Sequence, residues 1–82
     1  MAEEAISLNW IKFDTGEYRA QYGGFEIRCV AVSVDYRRRP DWTIETREVV
    51  SQSHEARFGA AVWHPSWRIF STMRDARTWA AH

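Results

Sequence analysis

Three histidines, one cysteine and a run of three arginines are the side chains of this chain whose chemistry reaches beyond packing. His54, His64 and His82 stand far apart, no second cysteine accompanies Cys29, and no His-Glu-x-x-His helix is present. Compact zinc-ligand spacing is therefore lacking, and neither a metal nor another cofactor is expected. His54-Glu55 and His64 have the groups for acid–base work, but the sequence marks no nucleophile or oxyanion donor beside them, so they read as surface histidines. Cys29 falls in an alternating apolar row, which makes it a buried, inert thiol rather than a nucleophile. No catalytic residue is assigned, and the chain is not expected to be an enzyme.

Two segments have the residue types of a binding site. Arg37-Arg38-Arg39, followed by Pro40 and flanked by Asp35 and Asp41, offers planar guanidinium groups to a phosphate or an acidic partner. Its plainer reading is a solvated loop tempered by its own aspartates. Trp63-His64-Pro65-Ser66-Trp67 sets two indoles and an imidazole around one proline, the composition of an interaction hot spot. The competing reading turns at least one of those indoles inward to complete a small core. Eleven basic residues balance eleven acidic ones, giving a net charge of +0. A dedicated nucleic-acid binder carries a basic excess, so nucleic acid becomes the alternative partner and protein the first.

These residues need elements to position them, and the clearest is a hairpin. Tyr18 to Cys29 alternates on both sides of Gly23-Gly24, which predicts antiparallel strands joined by a primed turn. Tyr22 then faces Phe25, Ala20 faces Ile27 and Tyr18 faces Cys29, all on one face; Arg19, Gln21, Glu26 and Arg28 share the other. Leu8 to Phe13 alternates as a first strand ahead of turn chemistry at Asp14-Thr15-Gly16. A simple turn there sets Lys12 against Arg19 and Trp10 against Gln21. Trp10, Lys12, Arg19 and Arg28 would then form a basic strip with an aromatic beside it, as on sheets that bind single-stranded nucleic acid. Glu17 and Glu26 lie diagonally in reach and would neutralise it, with Trp10 stacked on an arginine.

The third strand is expected to continue through Val34, residues 35–41 to form a loop, and Trp42 to Val50 to form a fourth strand. Ser51 to Arg57 reads as a loop or one helical turn. Extended pieces are expected near Ala61–Trp63 and Trp67–Phe70, divided by Pro65. Thr72 and Asp75 have capping-box form, and Met73, Ala76, Arg77 and Ala80 follow at helical spacing. The expected fold is α+β: an antiparallel meander sheet of four to five strands with one C-terminal helix packed on one face. It forms a single domain over residues 1–82, with 1–7 as a frayed lead-in. The expected core comprises Ile11, Phe13, Tyr18, Ala20, Tyr22, Phe25, Ile27, Cys29, Trp42, Ile44, Met73, Ala76 and Ala80.

The early Trp strand, the Tyr-x-Ala-x-Tyr-Gly-Gly-Phe-x-Ile hairpin, the second Trp strand at Trp42 and the Thr-Met-Arg-Asp-Ala-Arg-x-Trp-Ala-Ala-His helix together resemble the small ββββα proteins encoded by actinobacteria and their bacteriophages. That resemblance implies a host-interaction or anti-defence role exerted by binding a protein. A lone cysteine, an acidic start at Met1-Ala2-Glu3-Glu4 and the lack of a long apolar run point to the cytoplasm, the host's if phage-encoded, with no membrane. Protein binding, with a possible homodimer, is thus the expected function. Trp63, His64, Trp67 and Arg37 to Arg39 are the candidate contacts.

Overall fold

Gly23-Gly24 reverses the chain as the alternation predicts, with Tyr22 paired to Phe25, Ala20 to Ile27 and Tyr18 to Cys29. Gly23 has φ 60°, a conformation glycine adopts without a Cβ clash. The structure is a computed structural model and describes residues 6–32 and 39–82. It contains β1 (Ile11–Asp14), β2 (Glu17–Tyr22), β3 (Phe25–Val32), β4 (Asp41–Glu48), α1 (Gln52–Phe58), β5 (His64–Phe70) and α2 (Met73–Ala80). The five strands form one antiparallel sheet in the order β1-β2-β3-β4-β5. The fold class is therefore α+β. The expected extension of β3 through Val34 lies outside the described residues.

The first hairpin departs from expectation by one residue. Thr15 and Gly16 do form its turn, but a bulge between Lys12 and Asp14 inserts Phe13, so Ile11 rather than Lys12 pairs with Arg19. Because side chains alternate with period two, a one-residue slip moves the side chains that precede the bulge to the opposite face, while Asp14 stays paired with Glu17. Ile11 and Phe13, expected in the core, are 71% and 60% exposed on the face of Arg19. Leu8 and Trp10 take their place against the core. The lead-in is tied down from Ile6, whose N–H donates to the Ala81 carbonyl at 2.8 Å.

A second helix is present where a loop or one turn was expected. The Ser51 hydroxyl accepts from the His54 N–H at 3.1 Å and Gly59, at φ 84°, closes the other end of α1. α1 buries no side chain, so its caps hold it rather than an apolar face. Of the two extended pieces expected around Pro65, Trp67–Phe70 lies in β5, which runs through Pro65 from His64, whereas Ala61–Trp63 precedes that strand and belongs to none; β5 has an irregularity between its contacts to Thr43 and Glu45. Proline is tolerated there because β5 is an edge strand, beside the irregular part of its pairing with β4.

α2 begins as predicted, with the Thr72 hydroxyl accepting from the Asp75 N–H at 3.1 Å. It packs on β3, β4 and β5. Ala20, Ile27, Cys29, Ile44 and Ala76 are buried. Leu8, Trp10, Tyr18, Trp42, Phe70, Met73 and Ala80 pack around four of them. Tyr22 and Phe25, also expected in the core, are 53% and 52% exposed. The reason is length: an eight-residue helix covers about 12 Å, whereas an eight-residue strand runs about 26 Å, so the hairpin end projects beyond it. Among the described residues no helix is long and apolar enough to cross a membrane.

Candidate partner-binding face

The face opposite α2 is built from alternation on the three central strands. Glu17 and Arg19 from β2, Glu26 and Arg28 from β3, and Glu45 and Arg47 from β4 all point there. Arg28 is opposite Glu45 and Glu26 is opposite Arg47, while Arg19 and Arg28 face one another across β2 and β3. The like pair is relieved by carboxylates on each side. Arg19 bonds Glu17 at 2.5 Å and reaches Glu26 at 3.7 Å; Arg28 bonds Glu45 at 2.6 Å and reaches Glu17 at 3.9 Å. Arg47 completes the lattice by bonding Glu26 at 2.7 Å. The six formal charges cancel.

An indole covers the centre of this lattice. The Trp63 ring centroid lies 4.2 Å from the Arg47 guanidinium carbon, 4.3 Å from that of Arg28 and 5.2 Å from that of Arg19. Phe13 adds a second ring 3.5 Å from Arg19. Cation–π attraction is worth more as the partners lose water, and all six charged side chains here are largely covered. The reversal at Gly59 starts the short segment that carries Trp63 from α1 back over the sheet. The result is a flat, charge-neutral surface of Trp, Arg and Glu with Ile11 and Ile69 exposed toward its two edges.

The two indoles flanking Pro65 have opposite fates. Trp63 is half-buried on the arginines, while Trp67 is 87% exposed. Trp67 also has φ 62°, in the left-handed region that a bulky side chain rarely enters. It sits in the irregular part of β5, among residues left over opposite Ile44. His64 pairs with Thr46 and is exposed. Arg39 is exposed, whereas Arg37 and Arg38 lie outside the described residues.

The strip expected for nucleic acid is not assembled. The slip in β1 takes Trp10 and Lys12 to the α2 face, and Arg19 and Arg28 remain opposite, already engaged by Glu17 and Glu45. Trp10 and Tyr18 instead flank Arg77 of α2, at 5.6 and 4.6 Å. Sequence reasoning foresaw self-compensation by Glu17 and Glu26, but it assigned the stacking ring to Trp10. It also missed Glu45 and Arg47, although the alternation of Trp42-Ile44-Thr46 with Thr43-Glu45-Arg47 carries the signal.

The remaining reactive groups have structural surroundings. Cys29 is 0% exposed, and burial pushes its thiol up to about 11, opposed by the Arg77 guanidinium. His54 stacks on Phe58 one helical turn away, with centroids 4.9 Å apart. Among the described residues no three His, Cys, Asp or Glu side chains converge as a metal ion requires. No protein-family model, curated protein or solved structure matches this chain.

Proposed function

We propose that this domain is a non-enzymatic protein-binding module whose contact surface is the arginine–glutamate face and its β5 edge. The observation that carries the reading is Trp67: a large indole presented to solvent by a backbone conformation that costs about 1–2 kcal/mol for an L-residue. Strain of that kind persists where the surrounding structure or a partner makes use of it. Both sheet edges are interrupted, β1 by its bulge and β5 by Pro65 and its own irregularity. Strand addition is thereby discouraged, and side chains rather than backbone make the contact. A phage-encoded host-interaction role rests on the resemblance in residues alone.

Trp67→Gly tests this directly, because stability and binding should move apart. Glycine relieves the left-handed strain, while it costs about 0.5–1 kcal/mol in added freedom of the unfolded chain. The unfolding free energy is expected to stay within about 1 kcal/mol of the parent, whereas capture of a protein partner from lysate is lost. A variant that retains the same captured partner would refute the assignment.

A further inference from the structure

Between β4 and β5 the chain leaves the sheet and returns to it with little to hold it on the way. Every residue from Ser51 to Ala60 is exposed, and α1 packs neither on a strand nor on α2. The buried cluster and the side chains packed around it include none from residues 49–63. α1 stands off the charged face over a cavity of about 120 Å³, whose lining holds three glutamates, Glu26, Glu48 and Glu55, against the single cation Arg47. Among the described residues no ion pair joins α1 to the sheet. A seven-residue helix is not stable alone in water, and this one is supported by its own caps and by the His54–Phe58 stack.

Two anchors bound this segment. At its start the Val49 N–H donates to the Gly24 carbonyl at 2.9 Å, and at its end His64 pairs with Thr46 in the sheet. Between them Trp63 is the side chain that grips the charged face, on Arg47, Arg28 and Arg19. We propose that residues 50–63 form a strap latched by Trp63, which lifts off as a unit and uncovers the Arg28 and Arg47 guanidinium planes while the sheet and α2 stay closed. Lifting breaks none of the ion pairs, because Glu17, Glu26 and Glu45 hold the arginines from within the sheet. The platform therefore persists once its cover is gone. Gly59, at φ 84° and with no atom within 4 Å of where a Cβ would stand, supplies the hinge. Local opening starts where few apolar groups are buried and the backbone hydrogen bonds are exposed, and both hold here. The device belongs to the chain alone and is independent of Trp67 and of any partner.

Native-state hydrogen exchange of the full chain, followed residue by residue by NMR at several low urea concentrations, tests the strap. The Glu55 and Gly59 amides, both hydrogen-bonded within it, are expected to exchange at least about a hundredfold faster than those of β3 and β4, at a rate that urea barely changes. Trp63→Leu, which removes the ring contacts but keeps an apolar cover, should speed the two amides about thirtyfold, and Trp63→Phe less than about fivefold. Fraying of α1 with Trp63 still in place would leave them unmoved by either substitution. That result, or strap amides that exchange only together with β3 and β4 as urea rises, overturns the proposal.

Discussion

Replacing Trp63 isolates what a ring contributes to a neutral lattice of charges. Its indole meets the Arg47 and Arg28 guanidinium groups at 4.2 and 4.3 Å, and that of Arg19 at 5.2 Å. Two close, partly desolvated contacts at about 0.5–1 kcal/mol each, with a weaker third, amount to roughly 2 kcal/mol. Trp63→Leu keeps an apolar cover but removes the ring quadrupole, so it should lose about that much. Trp63→Phe keeps a smaller ring and should lose less than about 1 kcal/mol. Trp63→Ala gives up both the ring and the cover, and should lose about 3 kcal/mol, the low end for truncating a large aromatic because the site is only half buried. Urea unfolding followed by circular dichroism measures the series, and the slope of the transition should be common to all four proteins. In a domain of this size the Leu variant corresponds to a fall in Tm of about 10 °C. If Leu and Phe lie within about 0.3 kcal/mol of each other, the guanidinium–ring contacts carry nothing and Trp63 acts only by bulk. That outcome would also remove the reason for treating this face as a preorganised surface of Trp and Arg.

Two further outcomes concern the α2 side. Ile44 is almost fully buried at the centre of the core, so Ile44→Ala should cost about 2–5 kcal/mol, against a total of about 4–12 kcal/mol for a chain of this length; a loss under 1 kcal/mol by urea unfolding would show that the helix does not close over it. The folded-state pKa of Cys29 is raised to about 11 from an ordinary value of 9.0, so the unfolded chain releases its thiol proton first as pH rises. The folded state therefore keeps its full stability below about pH 9 and loses some between there and about pH 11. Cys29→Ala should lack this part of the alkaline decline, and in the parent the thiol should react with a disulfide reagent at pH 8 only as fast as the domain opens. Rapid labelling of the folded protein would contradict its burial.

Much of the fold was legible because its signals are local. Two adjacent glycines between alternating runs specify a reversal and, with it, the sidedness of β2 and β3. Thr72 and Asp75 mark the start of α2 by capping alone. α1 was harder to read because it has no apolar stripe, and its short segment is held by Ser51 and Gly59. The face of β1 was not legible at all. Leu8 and Trp10 compete with Ile11 and Phe13 for the core, both sets alternate equally well, and a single bulged residue chooses between them.

From the amino-acid sequence came the hairpin, the meander order of the strands, and the compensation of Arg19 and Arg28 by Glu17 and Glu26 on the two hairpin strands. Those depend on neighbours a few positions apart. Only the tertiary structure decided that Trp63 lies on three arginines while Trp67 faces solvent, and that Trp10 and Lys12 leave the charged face. It also decided that α2 stops short of Tyr22 and Phe25. Each of those outcomes turns on register between distant segments or on the length of one layer against another, and side-chain pattern within a segment does not encode either.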